Sequence, residues 1–201
     1  MNCNFRRMNF LAHAYLSFQH PQILVGNMIS DFVKGAAKNA YPNDVRQGIV
    51  LHREIDSFTD SHPAIQKAKE IFRPAYRLYS GALIDVLFDH YLAKDVFTEA
   101  SLKTFTTDVY AVLEKNTAQL PPGFVLLLSY MKAEDWLYSY RNERGMKDGL
   151  RRLVRRAAYL SDSQTAYQLF IDHYEALQNC YKEFFPDVKQ FAKQRFGELL
   201  A

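Results

Sequence analysis

With 201 residues, 48% of them apolar, the chain is long enough to bury one good core, and it is read as a single domain over 1–201. A formal net charge of +3 is too small to indicate nucleic acid by itself and is compatible with an acidic protein partner. Cys3 and Cys180 stand at opposite ends without metal-type or framework spacing, which argues against a disulfide scaffold and a cysteine-based zinc site and suits a reduced cytoplasm.

MNCNFRRMNF carries basic residues but no clean apolar run ending in small residues, so no signal peptide is expected. No run of about 18 apolar residues occurs, and the best candidate, GALIDVLF, is broken by Asp85, so no membrane span is expected either. Helical periodicity dominates. It predicts helices near 8–18, 22–37, 43–60, 63–78, 81–94, 100–116, 122–140, 145–159 and 163–196, a compact all-α bundle of eight or nine helices. Pro42, Pro63 and Pro121-Pro122 read as helix starts, because proline fits a first turn and breaks an interior. His20 and His62, each before a proline, read as surface turn residues, and His173 as an ordinary helix position.

The first chemical signal is His13 in NFLAHAYL, either a hydrogen-bonded core histidine or a residue at or beside a metal. Next comes Asp31, an acid within the largely apolar ILVGNMISDFV. In LHREIDSFTD, His52, Asp56 and Asp60 recur every four residues. On a helix such residues are offset by about 40° in azimuth, so they form a stripe roughly 12 Å long. The bland reading is a solvated face paired with Arg46, Arg53 or Arg73. In SGALIDVLFDHYLAK the residues from Ala82 to Ala93 are apolar on every side except Asp85, Asp89 and His90, with Tyr91 amphipathic. A helix apolar all round is buried, and a buried carboxylate costs several kcal/mol unless it is paired, hydrogen-bonded or metal-bound. Imidazole with several carboxylates and no cysteine suits Mn²⁺, Mg²⁺ or Fe²⁺. These segments therefore predict a carboxylate–histidine metal site built from three helices, the alternative being a buried salt-bridge network with Arg53, Arg73 or Arg77. Finally, MKDGLRRLVRRAAYL puts Lys147, Arg151 and Arg155 on one helical stripe with Arg152 and Arg156 beside it, a face suited to an acidic partner or simply solvated. It lacks the interleaved aromatics of a nucleic-acid surface.

Taken together, MNFLAH at 8–13, GNMISDF at 26–32, HREID with SFTD at 52–60 and DVLFDHYL at 85–92 resemble the bacterial acyl carrier protein phosphodiesterase family, also called acyl carrier protein hydrolase. The similarity continues through SYMKAEDWLYSY at 129–140 and the DHYEAL and FFPDV stretches. The resemblance implies a helical protein related to the HD-type metal phosphohydrolases, which removes 4′-phosphopantetheine from holo acyl carrier protein with a divalent cation, Mn²⁺ first and Mg²⁺ or Fe²⁺ next. Carried over, the functional positions are Asp31, His52, Asp56, Asp60, Asp89 and His90. Asp31, His52, Asp56, Asp89 and His90 are expected on the metal, with His13 and Asp85 beside them. Asp56 or Asp60 is expected to orient the attacking water or take its proton, and Arg53 to meet phosphate charge. Arg151, Arg152, Arg155 and Arg156 are expected to meet the acidic carrier protein. Two departures stand out: residues 89 and 90 read Asp-His where the wider HD group has His-Asp, and MNCNFRR precedes the block at which the family's chain begins, so 1–7 read as an extended or non-native start. The alternatives to this activity are a metal-dependent phosphohydrolase of a nucleotide or other small phosphate ester, and a non-enzymatic helical binding protein.

Overall fold

The computed structural model describes residues 9–157 and 162–201. Cys3, the start at 1–7 and the side chain of Arg156 lie outside the described residues. Among those described, the chain forms eleven α-helices and no strand, the expected all-α class. They are α1 Phe10–Tyr15, α2 Pro21–Ile29, α3 Asn43–Ser61, α4 Pro63–Tyr76, α5 Ser80–Asp95, α6 Glu99–Lys115, α7 Pro122–Ala133, α8 Trp136–Ser139, α9 Glu143–Arg156, α10 Gln164–Asp172 and α11 Tyr174–Leu200. None of the described helices is long and apolar enough to cross a membrane.

Pro21, Pro63 and Pro122 each occupy a first turn, where a missing N–H costs nothing. His20 and His62 do more than turn the chain. Their Nδ1 atoms accept the N–H of Ile23 at 3.3 Å and of Ala64 at 3.2 Å, capping α2 and α4.

Three predicted helices are divided. The one expected over 22–37 stops at Ile29 and continues as a 3₁₀ turn, Ser30–Phe32, an extended Val33 and a second 3₁₀ segment, Gly35–Ala40. Gly35 has φ +51, which glycine adopts without strain. The helix expected over 122–140 breaks at Asp135, which is left-handed. The one expected over 163–196 breaks at His173. The buried positions 166, 170, 177, 181 and 184 keep helical spacing across that last break, so periodicity alone does not reveal it.

Every residue of α5 from Ala82 to Ala93 is buried, with α1, α4, α9 and α11 packed around it. Nearly all the buried apolar side chains among the described residues form one continuous cluster. The most extensive helix–helix contact among the described residues is that of α2 with α3. A Cβ on Gly26 would lie 2.0 Å from the carbonyl oxygen of Val45, and one on Gly48 would lie 2.3 Å from that of Ile23. The two helices thus meet backbone to backbone. Gly26→Ala should destabilise the protein by roughly 3 kcal/mol in urea unfolding, because the obstructing atoms are backbone and cannot swing away. Gly197→Ala, on α11 with nothing within 4 Å, should be neutral or stabilising by up to about 1 kcal/mol. Equal midpoints for the two variants would contradict the close crossing.

Candidate metal centre

The crossing brings three elements to one point. His13 lies within α1, Asp31 in the 3₁₀ turn that follows α2, and His52 and Asp56 one turn apart on α3. Asp31 can face α3 because the chain leaves the α2 axis at Ile29. The two imidazoles stack, with centroids 3.9 Å and planes 18° apart. His13 Nε2 lies 3.3 Å from Asp56 Oδ1, and His52 Nε2 lies 3.5 Å from Asp56 Oδ2 and 3.6 Å from Asp31 Oδ1. One donor atom from each of His13, His52 and Asp56 falls within 4.8 Å of the other two. The histidine side chains are 2% and 8% exposed, those of Asp56 and Asp31 20% and 25%, so the cluster opens to solvent on its carboxylate side.

Among the described residues, neither ring nitrogen of His13 nor Nε2 of His52 has a partner in hydrogen-bond geometry. Buried polar atoms left in that condition cost free energy, and a divalent cation among two imidazoles and carboxylate oxygens would relieve it. The donor set fits an ion of the Mn²⁺ or Fe²⁺ type. Burial first, and then the neighbouring His52, lowers the pKa of His13 against the pull of Asp56 and Asp31. Burial also pulls His52 down, but the Asp31 carboxylate, 3.6 Å from Nε2, and the charge of Asp56 carry it above the ordinary histidine value. The stacked pair therefore resists double protonation, and His13 is the ring held neutral.

Of the arginines of the salt-bridge alternative, Arg73 and Arg77 line the groove shared by Asp60 and Asp85, away from the imidazoles. Arg53 donates through Nη2 to the carbonyl of Val33 at 2.6 Å, and Arg73 pairs with Glu70.

The family model described as acyl carrier protein phosphodiesterase matches residues 8–188. The chain belongs to this family. The acyl carrier protein phosphodiesterase of an Enterobacter species is 35% identical over 191 residues, covering 94% of this chain and 99% of that one. That of Pectobacterium atrosepticum is 34% identical over 189 residues, covering 92% and 98%. No solved structure matches the chain. The matched stretch contains all four residues of the cluster and all of α9.

Other expected site residues of this family member are engaged away from the cluster. Asp89, expected as a ligand, is completely buried, and its two oxygens accept the N–H groups of Leu11 at 2.9 Å and Ala12 at 2.8 Å. It satisfies orphan donors at the start of α1, one residue before His13. Burial raises the Asp89 pKa well above the carboxylate range, the two N–H groups oppose this, and the charge of Asp85 adds to it. His90, the other expected ligand, holds Nδ1 2.6 Å from the carbonyl of Tyr140 and Nε2 3.3 Å from the Tyr174 hydroxyl, with Phe170 edge-on. Asp60 lies 3.2 Å from Lys69. The 40° drift per four residues has carried it from the imidazoles to a groove of about 590 Å³ that Asp85 also lines.

On α9, Arg151 pairs with Asp148 at 2.8 Å. Arg152 stacks 4.1 Å over the Trp136 ring and reaches Glu134 at 3.2 Å. These two and Arg155 line a groove of about 580 Å³ with Arg144, which Glu134, Asp135 and Asp148 partly neutralise.

A further polar residue of the site lay unassigned in the sequence. Asn27, buried in α2, bonds the carbonyl of His13, Ser17 and His52 at once. The signal was the one used for Asp31, a polar side chain inside ILVGNMISDFV that needs buried partners.

Burial lowers the pKa of His90 to about 4, against the Tyr140 carbonyl and together with Lys94. The unfolded ring takes a proton near pH 6.5 and the folded one only near 4, so this group withdraws stability as pH falls through that interval and has no effect above it. An NMR titration of the His90 ring protons should give a midpoint about two units below an exposed histidine. A midpoint near 6.5 would contradict the buried, carbonyl-bound ring.

Proposed function

We propose that this chain is a metal-dependent phosphodiesterase that hydrolyses the bond between phosphorus and the serine oxygen of holo acyl carrier protein, releasing 4′-phosphopantetheine and the apo protein. The observation that carries the reading is the convergence of His13, His52 and Asp56 in a chain of this family. The relatives bear the name acyl carrier protein phosphodiesterase along nearly their whole length. The buried free thiol of Cys180 fits action in the cytoplasm.

His13, His52 and Asp56 would hold the cation, proposed as Mn²⁺, with Asp31 at the rim. When bound, such an ion supplies Lewis acidity toward a phosphoryl oxygen and acidifies water. Asp31, a quarter exposed and 3.6 Å from His52, is placed to orient the attacking water and accept its proton. Arg53, anchored through Nη2 to Val33, keeps its remaining N–H groups for phosphate charge. The leaving serine oxygen takes its proton from solvent.

The test is mass spectrometry of holo acyl carrier protein incubated with the enzyme and Mn²⁺. Loss of the 4′-phosphopantetheine mass is expected, with EDTA abolishing it. His52→Ala should lower turnover by on the order of 10³-fold, since several kcal/mol of charge stabilisation is removed, while the helical circular dichroism is kept. Faster hydrolysis of nucleotides than of the carrier protein would favour the small-ester alternative, and unchanged turnover in His52→Ala would remove the centre.

For the acidic carrier protein we propose α9 as the docking face, through Arg151 and Arg155, since Arg152 is already committed to Trp136 and Glu134. The double variant Arg151→Glu with Arg155→Glu should raise KM about tenfold at low salt and leave kcat near wild type, the difference shrinking as salt is added. An unchanged KM at low salt would move docking off α9.

A further inference from the structure

We infer that Asn27 is a positioning residue that fixes His52 in the tautomer protonated on Nδ1, and so turns the Nε2 lone pair toward Asp31 and Asp56. The amide orientation follows from its partners. Asn27 Nδ2 lies 3.0 Å from the carbonyl oxygen of His13 and 3.1 Å from Ser17 Oγ. A carbonyl only accepts, so the nitrogen of the amide must face it. Ser17 spends its own hydrogen on the same carbonyl, at 2.8 Å, which leaves its oxygen to accept from Asn27. With both Nδ2 hydrogens committed, Oδ1 faces His52 Nδ1 at 3.2 Å and needs an N–H there.

The consequence lies on the other side of the ring. A neutral His52 protonated on Nδ1 presents a lone pair, at Nε2, to two carboxylates 3.5 and 3.6 Å away. The opposite tautomer would place a proton at Nε2 and make the ring an ordinary donor to Asp31 or Asp56, a structural hydrogen bond with nothing left for a cation. Asn27 selects against that arrangement. It also ties α1 to α3 through α2, because one side chain grips the backbone of His13 and the ring of His52. A histidine ligand oriented by a hydrogen bond to its far nitrogen is the general pattern of metal sites.

The inference rests on reading His52 as a cation ligand, and its test has an arm that needs no metal. Two-bond ¹H–¹⁵N correlation spectra of the metal-free protein, in alkaline buffer where the ring is neutral, report the tautomer directly. Wild type should show His52 protonated on Nδ1. Asn27→Leu should shift it to Nε2–H, and Mn²⁺ affinity by isothermal titration should fall about 10–100-fold. Asn27→Asp keeps an acceptor opposite Nδ1 but loses both donated bonds, so it should retain the tautomer and most of the affinity while melting lower. A purely structural asparagine would lower both melting temperatures and leave the tautomer unchanged. Wild-type His52 found as Nε2–H overturns the inference whether or not the variants fold. Wild type that binds no Mn²⁺ overturns the cation reading, and the tautomer spectra then decide the role of Asn27 alone.

Discussion

The contact of α2 with α3 at Gly26 and Gly48 is the constraint on which the site depends. With a side chain at either position the helices would have to separate, since the atoms in the way are the carbonyl oxygens of Val45 and Ile23. At the observed distance Asn27 on one helix reaches His52 on the other, and the turn that ends α2 sets Asp31 beside His52. α1 then docks over both, held at its start by Asp89 and at His13 by Asn27. Backbone proximity thus comes first, and the polar geometry follows from it.

The cluster gathers two imidazoles and two carboxylates that water would solvate better separately. Burial disfavours charge on the histidines, the stacked rings disfavour charging both, and the carboxylates favour charging one. A network of this kind stabilises a fold only when every member is satisfied. The protein satisfies the outward-facing atoms of the ensemble, the His13 carbonyl and His52 Nδ1, through Asn27. Nε2 of His52 and both ring nitrogens of His13 are the imidazole atoms whose hydrogen-bond needs the described residues leave open. That asymmetry is what a binding site looks like in energetic terms, because the same atoms become the favourable ones when a cation arrives.

The all-α class was legible in the sequence because amphipathic spacing and proline starts are local properties. The need of Asp31, His52, Asp85, Asp89 and His90 for buried partners was legible for the same reason, since it follows from charge within apolar runs. The identity of the partners was not. Asp89 and His90 sit in α5 with the burial expected, but the partner of Asp89 is the start of α1 and that of His90 the carbonyl of Tyr140, both distant in sequence. Backbone N–H and C=O groups carry no sequence signature, so a buried acid bound to a helix start and a buried acid bound to a metal read alike. Asp60 lies beside Lys69 in the groove that Asp85 also lines, away from the imidazoles, because a four-residue repeat rotates slowly around the helix. His13 could be left only as ambiguous, because its place beside His52 is set by the packing of α1 and not by its own neighbours.

The central claim is that His13, His52 and Asp56 hold a divalent cation. Diffraction at the manganese absorption edge, from crystals of this protein grown with Mn²⁺, tests it most directly. The account predicts an anomalous peak within bonding distance of the two imidazoles and the Asp56 carboxylate, with Asp31 beside it. A peak at Asp89 and His90, or none at the histidine pair under saturating Mn²⁺, would contradict it.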